Sequence, residues 1–149
     1  MSNSEMTKTE PVKIIGIICE RSVALDDHLD DKGHLKDEPT VKMIKVPCSG
    51  HIQPIMLETA LKHGASGVFA TGCRMGDCHY REGNKFLRER LLGERMPKLK
   101  PTADKRRIRA YWLSALEYDI LLNEVQDFKT HVSGLEAPTV ATPAGAAAK

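Results

Sequence analysis

The chain is short of several things that would assign it quickly. No apolar run approaches the roughly 20 residues that a membrane-spanning helix needs. Charge of neither sign dominates, since 22 Lys and Arg stand against 20 Asp and Glu for a net +2. Aromatic residues make up only 5%, so the stacking platforms of a single-strand nucleic-acid binder are missing, and direct DNA binding is not expected. The opening MSNSEMTKTEP is polar and has no hydrophobic h-region, so a secretory signal is not expected and a cytoplasmic address is. Neither a G-x-G-x-x-G turn, nor a phosphate loop, nor a G-x-S-x-G elbow occurs, so no substrate apparatus announces itself. What remains is a 149-residue chain of ordinary composition, enough for a single domain with one real core.

Cysteine is present, four times, and in a cytoplasmic chain that points to metal or redox chemistry more than to disulfide staples. The most concentrated stretch is Thr71 to Asn84, TGCRMGDCHYREGN, with two cysteines, three glycines and a histidine.

Four runs read as strands: Val12–Cys19, Val41–Cys48, Ser66–Cys73 and Ile108–Leu113. The first is β-branched and almost continuously apolar, as in a strand buried on both faces. Helical periodicity covers Ile52–His63, Arg81–Met96 and Ala115–Val132. Pro54 near the start and Gly64 past the end of the first have the expected helix asymmetry. Ser114 and Glu117 form a candidate capping box for the last, and Gly134 closes it. The connection from Glu20 to Pro39 is acidic and weakly periodic; it reads as a solvated acidic loop with room for a short helix, and its spacing does not fit a calcium loop.

This alternation predicts an α/β fold: a small, mostly parallel sheet of about four strands, helices on both faces, right-handed crossovers, and a flavodoxin- or Rossmann-like open sheet. Residues 11–135 form the domain, between flexible tails at 1–10 and 136–149 that have little to bury.

Cys19, Cys48 and Cys73 each close a predicted strand. Parallel strands end on one edge of the sheet, and Cys78 follows Cys73 by five residues, so four thiols are expected on one rim. Any one of them alone would read as a small buried hydrophobe; the four together make a ligand constellation. The paired C-x-x-C knuckles usual in structural zinc sites are absent, whereas C-x-x-x-x-C recurs in one arm of plant-type [2Fe–2S] ferredoxins. Gly50, Gly72 and Gly76 lie close enough for backbone N–H groups to approach cluster sulfurs, given an unusual φ. His79 and His51 are candidates for a supporting donor or a ligand, with surface and capping roles as the plainer reading.

With these residues in view, VPCSGHIQP followed by GASGVFATGCRMGDCHYREGN, together with the later IRAYWLSA, resembles the delta subunit of methyl-viologen-reducing hydrogenase. The likeness runs from about Val12 to Leu135. It implies a [2Fe–2S] electron-transfer subunit of an oxidoreductase complex, relaying electrons between a hydrogenase or a formate dehydrogenase-type enzyme and the flavin-bearing subunit of a heterodisulfide reductase-like partner. By position it implies Cys48, Cys73 and Cys78 as ligands, with Cys19 the fourth. Family members commonly carry C-x-x-C at the first strand, where this chain has Ser22 as the second member, so Ser22 is a candidate supporting residue and, like a histidine, a candidate to stand in for a ligand. Two other readings of the same thiols stand beside this one: a zinc-stabilised interaction module, and a thiol-redox enzyme using Cys73 and Cys78. The basic run Lys98–Arg109 reads as a solvated face that could meet an acidic partner.

Overall fold

A computed structural model describes residues 12–74 and 82–135. Gly76, Cys78, His79 and both expected tails lie outside the described residues. Seven elements follow one another: β1 (Ile14–Cys19), β2 (Val41–Val46), α1 (Pro54–Lys62), β3 (Gly67–Gly72), α2 (Gly83–Leu92), β4 (Ile108–Trp112) and α3 (Tyr118–Ser133). All four strands are parallel, in the order β2-β1-β3-β4. Strand β1 therefore has its successors on either side, and the strand order reverses between β1 and β3. That reversal is the topological switch point of an open α/β sheet, where the crevice beyond the strand ends receives ligands.

Alternation along the strands sorts the side chains onto two faces. Ile14, Ile18, Val41, Met43, Phe69 and Tyr111 pack with Leu121, Val125, Phe128 and Val132 of α3. On the opposite face, Ile17, Val68 and Ala70 meet Ile52, Leu57 of α1 and Leu87 of α2. Helices thus cover both faces. Strand β3 is buried throughout and β1 nearly so, as its continuous apolar run requires. Edge strand β2 alternates instead, leaving Lys42, Ile44 and Lys45 exposed.

The connection from β1 to β2 is a loop with no helix among its residues. It is not merely solvated: Val23, Leu25 and Leu35 are buried in the α3-side core. It also pairs with the outer edge of β2, through Leu35 N–H to the Val41 carbonyl at 3.0 Å and Met43 N–H to the Gly33 carbonyl at 2.8 Å. His28 of this loop stacks on Tyr118 at 3.6 Å between ring centroids, and the Tyr118 hydroxyl donates to Asp37.

Helix boundaries follow local chemistry. Pro54 opens α1, and Gly64 follows its end at φ 101°. Helix α2 stops at Leu92, four residues before the expected Met96, because Gly93 takes the left-handed conformation at φ 83°. Helix α3 starts at Tyr118, three residues later than expected. The Glu117 carboxylate does reach back to the Ser114 N–H, at 2.7 Å, but the chain between them is a turn before the helix. Gly134 caps the far end in a right-handed conformation, so no left-handed closure occurs there.

Candidate metal centre at the sheet edge

The parallel sheet brings three of the four cysteines to its C-terminal edge. Cys19 is the last residue of β1, Cys48 comes two residues after β2, and Cys73 comes one after β3. Two of the three therefore follow their strands, where the residue pattern put them inside. All three are buried. Neighbouring parallel strands lie roughly 4.8 Å apart, so Cys19 at the centre is flanked by the chain carrying Cys48 and the chain carrying Cys73. Cys19 and Cys73 also flank the switch point between β1 and β3.

Backbone groups already face two of the sulfurs. Arg21 N–H donates to Cys19 Sγ at 3.4 Å, and Gly50 N–H donates to Cys48 Sγ at 3.4 Å. The Cys19 thiol lies 3.9 Å from the carbonyl of Pro47, the residue before Cys48. N–H groups in this position are the backbone donors that a metal-bound sulfur accepts from. Cys48 caps the 3-10 turn Ser49–His51, and this is why the Gly50 N–H turns back toward its sulfur.

The expected glycines are explained by space, not by φ: neither Gly50 nor Gly72 has a positive φ. A Cβ on Gly50 would stand 2.9 Å from Gly83 Cα, so the turn after Cys48 lies backbone to backbone against the start of α2. At Gly72 a Cβ would stand 2.8 Å from Ser49 Oγ and 2.9 Å from the Trp112 ring. Ser49, two residues after Pro47 on the chain leaving β2, therefore reaches the end of β3.

Helix α2 acts as a clamp for both cysteine turns. Arg90 Nη1 donates to the Gly50 carbonyl at 2.8 Å and to the Ile52 carbonyl at 3.3 Å. Asn84 is buried and its Nδ2 donates to the carbonyls of Cys73 and Arg74, at 2.9 and 2.8 Å. That bond joins the two ends of the segment that contains Cys78. Next along the chain, the Arg74 guanidinium forms a two-pronged ion pair with Glu117, just ahead of α3. The Arg74 guanidinium and, after it, the Ser114 N–H hold the Glu117 carboxyl down at about 2, from an ordinary value of 4.5.

That shift has a definite pH dependence. A depressed carboxyl contributes stability above its unfolded pKa and loses it as pH falls through the folded one. The tether between Arg74 and Glu117 is therefore expected to persist through pH 4.5 and to release only near pH 2. Carbon-13 NMR of the Glu117 carboxyl checks this; a titration midpoint near 4.5 would show that the pair does not hold in solution.

The other candidates are placed as follows. Ser22 is buried, and its hydroxyl donates to the Cys19 carbonyl at 2.8 Å, tightening the turn after β1. His51 is exposed at the end of its 3-10 turn. Among the described residues, no three Cys, His, Asp or Glu side chains converge into a metal-binding group. Two buried hydroxyls, Ser49 Oγ and Thr71 Oγ1, have no hydrogen-bond partner. An orphaned buried donor costs about 1–3 kcal/mol, and Ser49 spends that at the thiol edge. In donor chemistry, though not yet in convergence, buried thiols from three separate chain segments at one sheet edge, with backbone N–H groups at two of the sulfurs, match what an iron–sulfur group takes.

Sequence patterns alone do not single out Arg74, Asn84, Arg90 or Ser49. Asn84 and Arg74 do lie within the TGCRMGDCHYREGN stretch, and that proximity was the available signal.

The family profile of the methyl-viologen-reducing hydrogenase delta subunit matches residues 4–136. The chain belongs to that family. It is 46% identical over 81 residues to the iron–sulfur subunit of the F420-non-reducing hydrogenase of Archaeoglobus profundus, covering 53% of this chain and 58% of that one. It is 34% identical over 120 residues to the iron–sulfur subunit of the vhc F420-non-reducing hydrogenase of Methanococcus voltae, covering 77% and 82%. It is also 30% identical over 117 residues to one subunit of the ferredoxin/F420H2-dependent CoB–CoM heterodisulfide reductase of Methanosarcina acetivorans, covering 77% of this chain but 14% of that larger protein. In that relative the similar segment is one part of a longer polypeptide. No helix among the described residues is long and apolar enough to cross a membrane.

Proposed function

We propose that this chain is an electron-transfer subunit that holds one [2Fe–2S] cluster on Cys19, Cys48, Cys73 and Cys78. It relays electrons between a hydrogenase, or a dehydrogenase such as a formate dehydrogenase, and a flavin-bearing subunit of the heterodisulfide reductase type. The observation that carries the reading is the arrival of three buried thiols, from three different strands, at the edge of the sheet's switch point. Membership of a family whose relatives are named iron–sulfur subunits supports the cofactor class. The similarity to a stretch of a heterodisulfide reductase polypeptide supports the choice of partner.

When bound, the cluster supplies a one-electron couple whose potential follows its charge, its hydrogen bonds and its exposure. This chain's residues do the rest. Cys19 and Cys48 present sulfurs already facing the N–H groups of Arg21 and Gly50. Arg90 and Asn84 fix the turns that carry Cys48 and Cys73. Burial of the thiols excludes water from them. Substrate chemistry lies on the partner subunits, and a cytoplasmic location goes with that assembly.

Anaerobic reconstitution of the full chain with ferrous iron and sulfide tests this. The expected product is brown, bleaches with dithionite, and contains two irons and two acid-labile sulfides per chain. A colourless protein retaining one zinc per chain would replace the relay with a zinc-stabilised interaction module.

A further inference from the structure

Ser49 is the polar group at the thiol edge that nothing so far employs. Its side chain is 1% exposed and its Oγ has no hydrogen-bond partner. It follows Cys48 directly and lies against Gly72, the residue before Cys73. The Ser49 hydroxyl thus lies at the C-terminal end of β3, next in sequence to Cys48 and against the residue that precedes Cys73. The strand faces also separate it from the other orphaned hydroxyl. Gly72 shares a face with Val68 and Ala70, whereas Thr71 alternates to the Phe69 side. Among the described residues, Ser49 is thus a buried hydroxyl without a hydrogen-bond partner that adjoins Cys48 in sequence and lies against Gly72, the residue before Cys73.

We propose that Ser49 is a positioning and tuning residue whose O–H donates to a sulfur at this edge and raises the reduction potential of the centre. The inference rests on the electron-transfer reading above. A sulfur becomes a better acceptor as negative charge accumulates on it, so an O–H donor favours the reduced state over the oxidised one. The same bond explains the orphan. A hydroxyl buried without a partner is unfavourable in the metal-free chain and is compensated once a sulfur accepts from it.

Two effects of opposite kind follow for Ser49→Ala. In the reconstituted protein, the equilibrium between reduced and oxidised forms is expected to shift about tenfold toward the oxidised form, equivalent to about 59 mV for a one-electron couple. The metal-free chain should melt no lower than wild type, because no hydrogen bond is lost there. A serine with a purely structural role would show the reverse: a lower melting temperature and an unmoved potential. The experiment is an EPR-monitored redox titration of wild type and Ser49→Ala, with thermal melts of both metal-free proteins. Ser49→Gly serves as a second variant, removing the hydroxyl without adding bulk near Gly72, and it should shift the potential in the same direction. A cluster with wild-type potential in either variant overturns the role of Ser49 and leaves the electron-transfer reading intact. Failure of the wild-type chain itself to take up iron and sulfide overturns both.

Discussion

Replacing Cys73 with alanine is expected to strip the centre from the chain and reduce electron transfer in the assembled complex to background. Cys73 comes one residue beyond β3 at the switch point, and its thiol is buried. Its backbone is held independently, because the Asn84 amide binds the Cys73 carbonyl and not the side chain. Loss of the sulfur therefore removes a proposed ligand while the turn that carried it stays in place. For the fold alone the truncation is small, about 1 kcal/mol. For a four-thiolate centre it removes one of four ligands, and nothing in the chain supplies a fifth cysteine. On the proposed assignment of substrate chemistry to another subunit, the partner's own substrate oxidation, assayed with an artificial acceptor, should continue at its wild-type rate. Transfer through the complex at wild-type speed would remove Cys73 from the ligand set.

The second large effect is expected at Asn84. Its side chain ties the start of α2 to the chain leaving β3, and it satisfies two carbonyls, one of them in a fully buried bond. Asn84→Ala removes both hydrogen bonds, at up to about 1.5 kcal/mol each. For a domain of this size a total near 3 kcal/mol lowers the melting temperature by about 6–12 °C. Because the Asn84 amide also joins the two ends of the segment containing Cys78, iron incorporation should fall along with stability. Calorimetry of the metal-free chain and iron content after reconstitution measure the two. A shift below about 2 °C with full iron content would show that α2 does not act as the clamp.

Much of the architecture could be read directly from the residues. The β-branched apolar run of β1 read as a strand buried on both sides, and Pro54 and Gly64 bracket α1 by backbone chemistry that acts within a few residues. The boundaries that shifted have equally local reasons. Gly93 ends α2 because it adopts a left-handed conformation, although the apolar and charged pattern continues past it. The Ser114–Glu117 pair has the chemistry of a capping box, yet Glu117 is also the partner of Arg74. The turn they form precedes the helix and leaves Leu116 96% exposed. The loop from β1 to β2 looked solvated because its charges outnumber Val23, Leu25 and Leu35, which are the residues that bury.

The candidate site was legible in part and for a topological reason. Strand ends on one edge of a parallel sheet follow from the order of elements, so the placement of Cys19, Cys48 and Cys73 could be derived from their positions after apolar runs. Their supporting contacts could not. Arg90 binds carbonyls of the turn after Cys48 across 40 residues of sequence, and Ser49 owes its surroundings to Gly72, a residue on another strand. No periodicity or spacing encodes such pairs. The glycines show the same limit: Gly50 and Gly72 were expected to supply unusual backbone angles, and they are small because Gly83 and Ser49 stand where a Cβ would go.

The central claim is that these thiols carry a one-electron centre, and an EPR-monitored dithionite titration of the reconstituted full-length chain tests it most directly. The predicted result is uptake of a single electron per chain, bleaching of the visible colour, and a spin-one-half signal integrating to one spin per chain at the end point. A colourless, EPR-silent protein that takes up no electron and holds one zinc per chain would contradict it.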